Sequence, residues 1–148
     1  MIFPHRSGSS RFSGIRLLAN RLRAATSWAS QTPEVSRLPL GYFGASTGAA
    51  AALCAGVERG GGIRAVVSRG GRPDLAEESL DDVTAPTLLI VGGNDWTVLD
   101  LNERAASFLN CPHELAVVPG ATHLFEEPGA LERVAELAGE WFEKQLRD

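Results

Sequence analysis

Apolar side chains recur every three or four positions near both ends of the chain. In the first such stretch they are Ile15, Leu18, Leu22, Ala25 and Ala29. In the last they are Ala130, Leu131, Val134, Leu137, Ala138, Trp141 and Phe142. This spacing predicts an amphipathic helix over about 15–29 and another that begins near Pro128. Residues 1–13 show no such periodicity, and we expect a loose N-terminal segment there.

Short apolar runs lie between these two helices and predict buried strands over about 38–43, 64–68, 87–91 and 114–118. The intervening segments predict helices over about 47–57 and 98–109, with at most a short helix in 74–83. Apolar strands that alternate with helices are typical of a parallel sheet covered on both faces. We therefore predict an α/β protein with three layers, α/β/α, in which residues 14–148 form one domain around a short parallel sheet.

Composition argues against several classes of function, among them nucleic-acid binding and membrane spanning. The 148 residues carry a net charge of −4, which gives no electrostatic footprint for nucleic acid. No run approaches the length of a membrane span, and the N-terminus has no signal-peptide pattern, so we expect a cytoplasmic protein without a membrane partner. The two cysteines, Cys54 and Cys111, form no metal-binding or redox spacing and are expected to be structural.

The segment Gly44-Ala45-Ser46-Thr47-Gly48 has the pattern G-x-S-x-G. A predicted strand ends before it and a predicted helix begins at Thr47. This strand–turn–helix context is that of a nucleophile elbow, where a serine stands exposed on a tight turn. Ser46 is therefore the candidate nucleophile, and the backbone N–H of Thr47 is a candidate oxyanion donor.

A nucleophilic serine needs a base, and the base needs an orienting acid. Of the three histidines, His5 lies in the predicted loose segment and His113 precedes a strand, whereas His123 follows the last strand. Functional groups gather at the carboxyl ends of parallel strands, so His123 is the candidate base. Asp95 follows the strand 87–91 and is the preferred acid, with Asp74 and Asp100 as the alternatives.

Four segments together resemble the dienelactone-hydrolase-like branch of the α/β-hydrolases: GYFGASTGAAAAL, AVVSRGGRPDLA, APTLLIVGGND and VPGATHLFEEPGALE. The resemblance covers roughly residues 12–146. It implies Ser46 as nucleophile, Asp95 as acid and His123 as base. The archetype of this branch uses a cysteine nucleophile, but the elbow here holds Ser46, and Cys54 lies about two helical turns away. Some relatives are fused to a phosphoribosyltransferase domain.

The resemblance also implies strands and helices before the nucleophile strand, but only about 37 residues precede it here. We therefore expect a partial α/β-hydrolase fold that lacks the N-terminal strands and has one identifiable oxyanion donor, Thr47. The strand 38–43 would then be an open apolar edge through which copies of the chain self-associate. Alternatives are a catalytically weak or dead remnant, and a non-enzymatic half-domain that pairs with another chain.

The expected activity is hydrolysis of a small-molecule ester, thioester or lactone through an acyl-enzyme on Ser46. This chemistry needs neither a metal nor an organic cofactor. Arg69 and Arg72, in the segment SRGGRPD, are candidates for binding an anionic group of the substrate, although both also fit a solvated loop.

Overall fold

A computed structural model describes residues 8–57 and 62–147. Its helices are α1 (Gly8–Gln31), α2 (Thr47–Gly56), α3 (Glu77–Leu80), α4 (Trp96–Ala106) and α5 (Ala130–Leu146). Its strands are β1 (Leu40–Ala45), β2 (Ile63–Arg69), β3 (Thr87–Gly92) and β4 (His113–Val118). A 3₁₀ turn at Pro73–Ala76 leads into α3.

The strands form one parallel sheet in the order β1-β2-β3-β4. Helices α1 to α4 cover one face and α5 covers the other, so each face has its own apolar core. All six residues of β3 are buried, which is why this strand reads as a continuous apolar run in the sequence. The predicted α/β/α layering and parallel sheet are confirmed.

Helix α1 is longer than its apolar pattern predicts. It begins at Gly8 rather than near Ile15, so the predicted loose segment is wrong for residues 8–13, while residues 1–7 lie outside the described part of the chain. The residues from Gly8 to Ser13 are mostly small and polar. They carry no apolar periodicity, the only signal on which the prediction relied.

Strand β1 pairs with β2 on one side and is an edge of the sheet as far as the described residues extend. Its side chains alternate between the two faces, so Tyr42 packs under α1 while Phe43 lies on the face of α5 and is 52% exposed. Just before the strand, Leu38 is 59% exposed. Apolar surface is therefore exposed on the α5 face of this strand, at Phe43, and just before the strand, at Leu38. None of the described helices has the length and hydropathy needed to cross a bilayer.

Candidate active site

Ser46 stands at the junction of β1 and α2 with a backbone φ of 51° and ψ of −123°. A positive φ is rare for a residue with a side chain, and such strain costs about 1–3 kcal/mol. Neighbouring backbone groups hold it there. The Ser46 N–H donates to Arg69 O (3.2 Å), and the Ser46 carbonyl accepts from Ala49 N–H (3.2 Å) and Arg72 N–H (3.1 Å). The tight turn that the pentapeptide predicts is present.

The two glycines of the pentapeptide are not equivalent. A Cβ at Gly44 would lie 2.6 Å from the Gly48 carbonyl oxygen and 2.6 Å from Ala49 Cα, so the first turn of α2 packs directly on this position. A Cβ at Gly48 would meet nothing within 4 Å among the described residues. Steric closeness therefore explains the glycine at position 44, whereas no described residue crowds position 48.

Helix α2 begins at Thr47, directly after the serine. The first four N–H groups of a helix have no carbonyl partner within it, and the helix dipole places partial positive charge at this end. The Thr47 N–H is the first of these four. An oxyanion that develops beside Ser46 would therefore face the positive end of α2.

Asp95 and His123 are in direct contact. The imidazole Nδ1 of His123 lies 2.7 Å from Asp95 Oδ2, with side-chain exposures of 41% and 14%. Asp95 occupies the N-cap position of α4 but makes no side-chain cap there, so its carboxylate is directed to the histidine instead. Because an ionised carboxylate only accepts hydrogen bonds, Nδ1 carries the proton and Nε2 is left as the basic nitrogen.

The loops after β3 and β4 are joined by hydrogen bonds that bring this pair together. The bonds are Gly93 N–H to Val118 O (2.9 Å), Asn94 N–H to Ala121 O (2.9 Å) and Asn94 Nδ2 to Gly120 O (3.1 Å). Gly92 permits this approach, since a Cβ there would lie 2.8 Å from the Thr122 carbonyl oxygen. The glycine pair at the end of β3, Gly92 and Gly93, thus permits close packing between the loops.

A second carboxylate holds the turn that carries His123. Glu127 accepts from the Thr122 hydroxyl (2.6 Å) and from the Thr122 N–H (3.1 Å). The Thr122 hydroxyl, then backbone bonds, lower the pKa of Glu127 below its ordinary value. Sequence reasoning missed this residue. Its spacing of five from Thr122 is a local signal that could have revealed it.

Ser46 and His123 approach the same backbone segment but form no hydrogen bond with each other. The Ser46 N–H donates to the Arg69 carbonyl, and a Cβ on the next residue, Gly70, would lie 3.6 Å from His123 Cε1. Within residues 8–57 and 62–147 the Ser46 hydroxyl has no hydrogen-bond partner, so the expected bond to His123 is not formed. Catalytic hydrogen bonds are often long without substrate and tighten in the complex.

The alternative acids lie elsewhere. Asp74 accepts two hydrogen bonds from Arg72, at 2.8 Å from Nε and 2.7 Å from Nη2, and this pairing raises the pKa of the Arg72 guanidinium. Asp100 is exposed on α4. Asp95 is therefore the carboxylate in contact with the candidate base, and the charge of Arg72 is already matched by its neighbour.

The remaining histidines and cysteines are placed as follows. His113 is exposed at the start of β4, and its Nδ1 is 2.9 Å from Cys111 O, whereas His5 lies outside the described residues. Cys54 packs against the α1–α4 core, and Cys111 is buried, which raises the pKa of its thiol. Among residues 8–57 and 62–147, no three His, Cys, Asp or Glu side chains converge as a metal site requires.

The sequence pattern of the dienelactone hydrolase family matches residues 11–147. A putative phosphoribosyl transferase of Mycobacterium tuberculosis is 61% identical over 128 residues, which are 86% of this chain and 29% of that protein. This chain therefore spans less than a third of the length of that relative.

Solved structures show the same fold. A dienelactone hydrolase from Anabaena variabilis has 56% sequence identity and a TM-score of 0.88, over 90% of this chain and 62% of that one. The esterase domain of a Rhodothermus marinus protein has a TM-score of 0.73 at 19% identity, over 87% of this chain and 70% of that domain. The second likeness, at such low identity, shows the fold alone.

Proposed function

The chain belongs to the dienelactone hydrolase family, and from that premise we propose that it is a serine hydrolase that cleaves a carboxylic ester, a thioester or a lactone. The observation that carries the proposal is the hydrogen bond of 2.7 Å between Asp95 and His123 at the same end of the sheet as Ser46. The positive φ of Ser46 supports its role as nucleophile, because such strain persists where neighbouring structure enforces it, often at functional sites.

In the first half of the reaction, Ser46 Oγ attacks the acyl carbon while its proton passes to His123 Nε2. The tetrahedral oxyanion forms beside the Thr47 N–H and the start of α2. When it collapses, the bond to the alcohol or thiol breaks, and the leaving atom takes the proton from His123. An acyl ester on Ser46 remains.

In the second half, water takes the place of the alcohol. His123 Nε2 accepts a proton from the water, the hydroxide adds to the acyl carbon, and Ser46 Oγ leaves with that proton. Asp95 keeps its charge throughout, fixes the imidazole tautomer and stabilises the imidazolium that forms twice in the cycle.

The name of the mycobacterial relative describes a protein of which this chain covers 29%. The similarity extends over 128 of the 148 residues, so it includes at least residues 21–128 wherever it begins. Ser46, Asp95 and His123 all lie within that range. The family pattern covers the same stretch. We therefore assign hydrolysis, rather than phosphoribosyl transfer, to the segment the two proteins share.

A second candidate role is self-association through β1. The exposed Phe43 and Leu38 beside this edge favour it, because an open apolar edge pairs readily with another strand. The two roles are compatible, since an added strand would approach Ser46 from the side opposite β2.

A fluorophosphonate probe tests the hydrolase proposal, because it reacts only with an activated serine. We expect one adduct, located on Ser46 by peptide mass spectrometry. Ser46→Ala should abolish both labelling and hydrolysis of a short-chain aryl ester, whereas Cys54→Ala should retain both. Loss of activity in a folded Cys54→Ala variant, or a wild-type protein that never labels, would contradict the proposal.

A further inference from the structure

The guanidinium of Arg69 lies over the ring of Phe125, with Cζ 5.1 Å from the ring centroid. The ring is 1% exposed, and Arg69 Nε is buried without a hydrogen-bond partner. Within residues 8–57 and 62–147 no carboxylate pairs with this cation. Among the described residues the aromatic face is therefore the main partner of this partly buried cation, in a cation–π contact.

Phe125 also closes the turn that carries His123. Its N–H donates to the Thr122 carbonyl at 3.1 Å, which makes His123 the second residue of a four-residue turn. The backbone φ of Phe125 is 56°, a strained value for an aromatic residue. Such a conformation persists only when the surrounding structure holds it, and here the ring of Phe125 is packed in the core beneath α5.

Arg69 is thus connected to both candidate catalytic groups. Its carbonyl accepts the Ser46 N–H at 3.2 Å, and its side chain covers the ring that anchors the turn of His123. The next residue, Gly70, lies beneath the same turn, since a Cβ there would be 3.4 Å from Phe125 Cε2. The end of β2 therefore contacts both the turn of Ser46 and the turn of His123, and so sets the position of the nucleophile relative to the base.

We propose that Arg69 is a positioning residue, whose stacking on Phe125 fixes the turn of His123 and so directs the imidazole toward Ser46. The inference deepens the proposed hydrolase function and rests on it. It differs from the role suggested by sequence, in which Arg69 and Arg72 bind an anionic substrate group. In the positioning role, Arg69 affects the rate of hydrolysis of every substrate, charged or neutral.

The first test compares Arg69→Met with Arg69→Lys on a neutral aryl ester and on an ester that carries a carboxylate. Methionine keeps a long apolar side chain but removes the cation, whereas lysine keeps the cation and loses the planar stack. Small misplacements of catalytic groups cost up to about 100-fold in rate. We expect kcat to fall about 10- to 100-fold for both esters in Arg69→Met, with KM within about twofold, and Arg69→Lys to retain more of the rate. Arg104→Met, which removes an exposed arginine of α4, serves as the control.

A rise in KM confined to the anionic ester, with kcat on the neutral ester unchanged, would assign Arg69 to substrate binding and overturn the proposal. So would equal losses in Arg69→Met and Arg104→Met. Phe125→Leu supplies a double-mutant cycle. If the two side chains act as one unit, the double variant should be no slower than the slower single variant, and fully additive losses would contradict this.

The second test does not depend on catalysis. The ring nitrogens and protons of His123 are observed by NMR, with His123→Gln for assignment and Arg104→Met as the control. We expect the Nδ1 proton held by Asp95 to exchange faster and its resonance to shift in Arg69→Met alone. Unchanged His123 signals would overturn the positioning role. If these signals change but wild-type Ser46 never labels with fluorophosphonate, the hydrolase proposal fails while the positioning contact stands.

Discussion

Gly92, the last residue of β3, lies directly against the backbone carbonyl of Ala121, with no room for a Cβ between them. The contact joins the loop of Asp95 to the loop of His123. It explains why a hydrogen bond of 2.7 Å forms between residues that are 28 positions apart.

Gly92→Ala should therefore separate the two loops. A methyl group at this position meets backbone atoms, which cannot rotate away as a flexible side chain could. Overpacking of this kind costs about 1–3 kcal/mol. We expect a lower free energy of unfolding in denaturant titrations, together with loss of fluorophosphonate labelling at Ser46. Gly139→Ala in α5 is the matched control. It has open space for the methyl group and should stabilise the protein by about 0.5–1 kcal/mol.

Asp95→Asn tests the acid assignment. An amide can donate to the imidazole and favour the wrong tautomer, a change that costs about 10⁴-fold in kcat in a serine protease triad. We expect a loss of similar order in ester hydrolysis, with the thermal midpoint little changed. Asp100→Asn, at an exposed position on α4, should keep the wild-type rate. If Asp74→Asn produced the large loss and Asp95→Asn did not, Asp95 would not be the acid.

The sequence predicts the strands well because each is a local apolar run. The strand predicted over 87–91 is observed at Thr87–Gly92, and that over 114–118 at His113–Val118. Glycine and proline mark the ends of such runs, so the positions of Ser46, Asp95 and His123 after strand ends could also be predicted. The apolar runs and the residues that end them are signals from residues close together in the sequence.

Contacts between distant residues could not be predicted in the same way. Phe125 lies 56 positions after Arg69, and nothing in the sequence distinguishes its ring from other buried aromatics. The pairing of Arg72 with Asp74 was missed for a different reason. Its spacing of two residues was visible, but whether such side chains meet depends on the 3₁₀ turn that begins between them.

Glu127 should make the turn of His123 sensitive to acid. Its hydrogen bonds from Thr122 lower its folded-state pKa, so their stabilisation is present above the unfolded value of about 4.3. It is lost as the pH falls through the lower folded-state value. We expect Glu127→Gln to be less stable than wild type at neutral pH and the two thermal midpoints to converge below about pH 4. Parallel midpoint curves across this range would show that the Glu127 carboxylate does not stabilise the turn.

Phe43 provides the test of self-association through β1. Its ring is 52% exposed beside a strand edge that has no partner strand among residues 8–57 and 62–147, and burial of a phenylalanine side chain contributes roughly 1.5–3 kcal/mol. Two copies related by a twofold axis would align their β1 strands antiparallel and bury both rings. A lysine at an edge opposes such pairing by its charge and its hydration. Phe43→Lys should therefore shift a concentration-dependent oligomer towards monomer in analytical ultracentrifugation.

Phe108→Lys, at a ring that is 44% exposed beyond the end of α4, should leave the oligomer unchanged, because that ring lies away from the β1 edge. A wild-type chain that stays monomeric at all concentrations would contradict pairing through this edge and leave Phe43 as ordinary exposed surface.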